Sequence, residues 1–228
     1  MKIVVVTGGT KGIGRAIVEK FAREGFHVIT CARNEIDLVA LREEMRLNYG
    51  ARVSTFAADL SDAAQVEAFG RAVLTYGTPA VWVGNAGIYA TGRLTEETPN
   101  VLSDLLAVNL LPNYILAQIF APAMKQAAAG HIFTICSVAS YKPIPDAGSY
   151  CVSKAALYGF TKVLREELRP HNIKVTAVLP AATLTSSWDD EPNKPTNILQ
   201  PTDIAESIWA AYSLSAQAVT DEIHLSPL

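Results

Sequence analysis

Cysteine is scarce in this chain of 228 residues. The three present, Cys31, Cys136 and Cys151, are odd in number and widely spaced. That excludes a disulfide framework and points to a reducing, cytoplasmic setting. None stands in a CxxC pair, and the four histidines form neither HxH nor HExxH, so a metal site has no support. Blocks of like charge are absent too: 19 basic and 22 acidic residues leave a net charge of −3, without the basic face that nucleic acid demands. No apolar run approaches the roughly 20 residues of a membrane helix, so no membrane partner is expected. The N-terminus enters the strand KIVVVTGG directly, without the apolar core and small-residue cleavage site of a secretory leader. Repeats and linkers are also missing, and a single domain over 1–228 is expected.

Half the residues are apolar and 18% are charged, enough for a substantial core. Strand-like and helix-like patterns alternate along the chain. IVVVT, HVITCA, RVSTFAAD, AVWVGNAG, GHIFTICS and IKVTAVLP read as buried strands, with DEIHLS as a last one. Between them lie amphipathic stretches such as GIGRAIVEKFAREG, which ends at a glycine. A long helical region from about 99 to 129 contains Pro112 and Pro122, so a kink or break is expected there. This alternation predicts an α/β fold: a doubly wound, mainly parallel Rossmann sheet of about seven strands with helices on both faces. Ligands of such sheets bind beyond the carboxyl ends of the strands, so the residues following each strand carry the functional information.

After the first strand comes TGGTKGIG. Glycines in a strand-to-helix turn let the backbone approach a phosphate, and the helix N-terminus offers N–H groups and a positive dipole end. A plain glycine-rich turn would look the same. At the end of the second strand, TCARN places Ala32 where an acidic residue would accept from the ribose 2′-OH of NAD, and Arg33 follows. An arginine suits a 2′-phosphate. Lys11 can reach the same group, so both favour NADP(H), although Arg33 could equally be a surface residue opening a loop. Glu35 and Asp37 are expected to sit in the next helix and point elsewhere. Asp59, after the third strand, is either an adenine contact or the N-cap of the third helix, a job Ser61 or Asp62 could also do.

Two tyrosine–lysine pairs share the i, i+4 spacing: Tyr150 with Lys154 and Tyr158 with Lys162. A phenol titrates freely near pH ~10, and a nearby ammonium favours its ionised form. Tyr150 lies at the start of its helix, where active groups gather, with Ser149 as a possible cap. Tyr158 lies roughly 12 Å further along the axis, so packing and surface roles are expected for it and Lys162. Ser137 ends the fifth strand thirteen residues before Tyr150 and can hold a substrate carbonyl against it, with Ser140 as a nearby decoy. Asn109, in LLAVNLLP, either satisfies carbonyls freed at the proline or helps hold a water that contacts Lys154.

These motifs together resemble the short-chain dehydrogenase/reductase family, in its compact single-domain branch, over nearly the whole chain. TGGTKGIG is similar to the family's TGxxxGxG, GNAG to its NAG, and LPAATLT to its PGxVxT. Asn109, Ser137, Tyr150 and Lys154 match its catalytic tetrad in order and spacing. The resemblance implies hydride transfer between nicotinamide C4 and a small carbonyl or alcohol substrate. In it Tyr150 is the general acid/base, Ser137 orients the oxygen, Lys154 lowers the tyrosine pKa and binds the ribose, and Asn109 with a water chain resupplies protons. It implies NADP(H) contacts from Gly8, Thr10, Lys11, Gly12, Ile13, Gly14, Arg33, Asp59, Leu60, Asn85, Ala86, Gly87, Tyr150, Lys154, Pro180, Thr183 and Thr185. It also implies a homodimer or homotetramer built through helices at roughly 99–129 and 149–169. A sensor that binds NADP(H) without turnover and an NAD-dependent alcohol dehydrogenase are the alternatives. Retention of both Tyr150 and Lys154 argues against the first, and Arg33 against the second.

Two departures stand out. The family's Pro-Gly is Pro180-Ala181 here, which could restrict the backbone near the nicotinamide. Thr183 replaces an aliphatic residue. The region of about 185–200 corresponds to the family's substrate lid, in which Trp188 could cover a small apolar substrate. The run Asp189 to Glu191 would disfavour acidic carriers. The ending EIHLSPL looks more like small reductases acting on pterins, hydroxy acids or aldehydes. Cys136 and Cys151 flank candidate catalytic residues, but no histidine is placed as their base, so they read as small buried residues.

Overall fold

The computed structural model describes residues 1–185 and 196–228. Trp188 and the acidic run Asp189 to Glu191 therefore lie outside the described residues. Seven strands form one sheet in the order β3-β2-β1-β4-β5-β6-β7, and every neighbouring pair is parallel. They are β1 (Ile3–Thr7), β2 (His27–Ala32), β3 (Val53–Ala57), β4 (Val81–Gly84), β5 (Gly130–Ile135), β6 (Ile173–Pro180) and β7 (Glu222–Leu225). The helices are α1 (Gly12–Arg23), α2 (Glu35–Tyr49), α3 (Ala63–Tyr76), α4 (Val101–Asn109), α5 (Leu111–Ala127), α6 (Gly148–Leu168) and α7 (Pro201–Tyr212). The strand order reverses between β1 and β4, and a crevice opens there at the carboxyl ends.

The sheet is covered on both faces, and β1 shows why its sequence is uniformly apolar. Val4 and Val6 point into one core with Phe21, Leu41, Ile204 and Ile208, from α1, α2 and α7. Ile3 and Val5 point into the other with Phe69, Leu116, Phe120 and Leu164, from α3, α5 and α6. A strand buried on both sides needs apolar residues at every position instead of alternate ones. Trp82 of β4 is fully buried and meets Phe120 edge-on, ring centroids 5.5 Å apart. Such a pair contributes ~1 kcal/mol beyond its buried area.

The region around Pro112 is a break, not a kink: α4 stops at Asn109, and Leu110 serves as C-cap of α4 and N-cap of α5. Pro112 sits in the first turn of α5, where its missing N–H costs nothing. One expectation fails in this region. Val101–Ala127, α4 and α5 taken together across Leu110, spans 27 residues with a window of mean hydropathy 1.4, long and apolar enough to cross a membrane by length and composition. The sequence hid it because Asn100, Asp104, Asn109 and Asn113 interrupt the apolar letters. Leu105, Leu116, Phe120 and Met124 are fully buried within the fold.

Candidate active site

The crevice beyond β1 and β4 is a cavity of about 640 Å³. At one end lies the glycine turn. Gly8 and Gly12 adopt left-handed φ of 68° and 53°, which favours glycine. A Cβ at Gly14 would collide with the Gly8 carbonyl oxygen, and one at Gly9 with the Thr30 hydroxyl. Helix α1 starts at Gly12 with no acidic residue in its first turn and, among the described residues, no side-chain cap, and Gly12, Ile13 and Gly14 line the cavity. Asn85 fastens this turn to β4, its amide donating to the carbonyls of Thr7 (2.8 Å) and Gly8 (3.1 Å). The Thr7 hydroxyl accepts from the Asn85 and Ala86 N–H groups, both at 3.0 Å.

Gly8, Thr10, Lys11, Gly12, Ile13, Gly14, Arg33, Asp59, Leu60, Asn85, Ala86 and Gly87 all line this cavity. So do Ser137, Tyr150, Lys154, Pro180, Thr183 and Thr185. Asp59 is not the cap of α3. Asp62 takes that role through the Ala64 and Gln65 N–H groups, while Asp59 accepts from the Ser61 N–H (2.9 Å) and hydroxyl (2.8 Å). Those bonds, with Arg33 nearby, hold its carboxyl below the usual range. Asp37 does not point elsewhere. It lines the cavity, and its carboxylate lies 3.4 Å from the Lys11 ammonium. Asn34 caps α2, which puts Asp37 in the first turn, where side chains lean back toward the helix start.

At the other end stand Ser137, Tyr150 and Lys154. Lys154 is buried, and its ammonium donates to the Ile135 carbonyl at 2.9 Å. Among the described residues this is its one hydrogen bond, so a buried group with three donors turns the remainder into the cavity. Its nitrogen lies 5.8 Å from the Tyr150 ring centroid. Burial pushes the Tyr150 phenol up to about 12, opposed by a hydrogen bond with Ser137. Burial likewise lowers the Lys154 pKa. The depression expected from Lys154 does not show: burial, which penalises both charged forms, dominates, and what opposes it at Tyr150 is the Ser137 hydrogen bond. Tyr89 meets Tyr150 edge-on at 4.8 Å and forms part of the wall; nothing in its local sequence singled it out.

Asn109 stands one layer back and does not line the cavity. Its carbonyl oxygen accepts from the Ile88 N–H (2.7 Å), and its amide donates to the Ile88 carbonyl and the Ser153 hydroxyl, both at 3.0 Å. Its own backbone carbonyl, freed at the break, accepts from Asn113 (3.1 Å). Ser140 is structural, its hydroxyl accepting from the Ser137 N–H at 3.2 Å. Tyr158 lies outside the cavity and hydrogen-bonds Glu222, while Lys162 sits 4.3 Å over its ring. Ala181 has no left-handed φ, so replacing glycine there strains nothing. The Thr183 hydroxyl donates to the Ala181 carbonyl at 3.0 Å.

Ser149 does not cap α6. Ala147 is the N-cap residue and offers no side-chain acceptor. The cap comes from Glu97, which accepts from the Ser149 N–H (3.2 Å) and its hydroxyl, one residue before Tyr150. Gly92 pairs with Ala147 beside it, and Arg93 with Asp146 at 3.0 Å. Glu97→Ala is expected to cost about 1–2 kcal/mol, as loss of a cap does. In a chain of this size that lowers Tm by roughly 2–8 °C. An unchanged thermal melt would contradict the cap.

Comparison with known proteins agrees with this geometry. A family model described as short chain dehydrogenase matches residues 2–195. A sepiapterin reductase from Chlorobaculum tepidum is 34% identical over 236 aligned residues, covering 99% of this chain and 96% of its own. An alcohol dehydrogenase from the archaeon Thermococcus sibiricus, solved with 5-hydroxy-NADP, matches with a TM-score of 0.91 at 29% identity, covering 100% and 96% of the two chains. A metagenomic short-chain oxidoreductase solved with NADP matches at 0.85 and 33% identity, covering 99% and 97%.

Proposed function

The chain belongs to the short-chain dehydrogenase family, and we propose that it reduces a small carbonyl compound with NADPH, using Tyr150 as the proton donor. The observation that carries this is one cavity that joins an uncapped glycine-turned helix start to Tyr150, with Ser137 and Lys154 on the same wall. The residues fit a dinucleotide. Glycines leave room where a Cβ would collide, free N–H groups face the phosphate end, and the spare donors of Lys154 suit ribose hydroxyls.

Bound NADPH would supply the hydride that adds to the carbonyl carbon. The protein's own task is the oxygen. The Ser137 hydroxyl orients it, and Tyr150 donates the phenolic proton that turns the developing alkoxide into an alcohol. A phenol pushed up to about 12 is protonated at neutral pH, which suits the reducing direction. Once the proton has left, the Lys154 ammonium, 5.8 Å from the ring centroid, stabilises the phenolate. Asn109 acts behind this centre by fixing the Ile88 backbone and α6 through Ser153. Arg33 and Lys11 favour NADP(H) over NAD(H) by their charge.

The relative named sepiapterin reductase makes pterin ketones the first class to assay, followed by other ketones and aldehydes. Loss of NADPH absorbance dependent on one of these substrates is the expected result. Tight NADPH binding without turnover on any of them would favour a sensor. The exposed apolar residues Leu111 and Tyr114 of α5 and Val152 and Val163 of α6 support a homodimer or homotetramer. Light scattering tests this, and a monomer at micromolar concentration would contradict it.

A further inference from the structure

The cavity wall near the glycine turn carries an anion where a phosphate is proposed to bind. Lys11 and Arg33 are positive, while Asp37 and Asp59 are negative, and all four line the same end of the cavity. Asp59 is occupied by Ser61. Asp37 is turned onto Lys11 at 3.4 Å, with a third of its side chain exposed and two-thirds of the lysine's. An ion pair this exposed contributes little to stability, so the fold does not require it. The backbone that carries Asp37 is nonetheless well fixed, because Asn34 accepts from the Ile36 (2.9 Å) and Asp37 (3.2 Å) N–H groups.

We infer that Asp37 is a residue that weakens cofactor discrimination, competing with the 2′-phosphate of NADP(H) for Lys11. The inference rests on the NADP(H) reading above. A phosphate dianion entering beside Lys11 and Arg33 meets two cations and, in Asp37, a nearby carboxylate that repels it and must surrender Lys11. A ribose carrying a hydroxyl in place of that phosphate meets no such repulsion, and the same carboxylate can accept from it. The site therefore tolerates NAD(H) better than its two cations suggest.

The test is Asp37→Asn in the full chain, which preserves shape and removes charge. NADPH and NADH affinities are read by nicotinamide fluorescence at low and high salt. NADPH is expected to bind about threefold to tenfold tighter at low salt, as removal of one screened like charge allows, with the gain shrinking as salt rises. NADH is expected to bind no tighter than before. Lys11→Met added to that variant should erase most of the gain. An equal change for both cofactors, or weaker NADPH binding, overturns the inference. Wild-type protein that binds no NADPH overturns the NADP(H) reading itself, and this role for Asp37 with it. Wild-type binding with an unmoved ratio in the variant overturns Asp37 alone.

Discussion

Tyr150→Phe is expected to lower kcat for NADPH-dependent carbonyl reduction by about a thousandfold, within the range for loss of a positioned general acid. The substitution removes one hydroxyl and leaves the ring, so the edge contact with Tyr89 and the lysine's bond to the Ile135 carbonyl both persist. NADPH affinity should change by no more than about tenfold, the worth of one hydrogen bond. The two constants must therefore separate. If kcat and affinity fell together, the tyrosine would be a binding residue and another group would supply the proton. The Ser137 hydroxyl is engaged with the Ala139 N–H, and Tyr89 is substantially exposed.

Arg33→Asp carries the second large effect. NADPH affinity is expected to fall by about 10–100-fold, the value of a charge-assisted hydrogen bond to phosphate, and NADH affinity to hold or rise. Arg33 lies exposed after β2, so the fold should tolerate the change. Fluorescence titration of both cofactors measures it. NADPH binding indifferent to this reversal would remove the charge argument for NADP(H) and leave Ala32 as the weaker guide.

Much of this was legible before any coordinates. Six apolar strands alternating with amphipathic helices point to a covered parallel sheet, and the glycines of TGGTKGIG mark backbone that no side chain can replace. The choice between Tyr150 and Tyr158 followed from helix rise alone, and the cavity includes the first and omits the second. What stayed hidden depends on partners distant in sequence. Glu97 caps a helix 52 residues away. Asn109 was visible as an odd polar residue, yet its partners Ile88 and Ser153 come from two other segments. Tyr89 and Asp37 carry no motif. The raised pKa of Tyr150 escapes the sequence for a related reason: an i+4 lysine is a local feature, whereas burial is set by the whole crevice.

The most direct test of the account uses NADPH carrying deuterium at both hydrogens of nicotinamide C4, with whichever carbonyl substrate the assays identify. Deuterium on the carbinol carbon of the product, with the hydroxyl proton drawn from solvent, is the predicted outcome. A product without that label, or one labelled at carbon from heavy water, would contradict hydride transfer in this cavity.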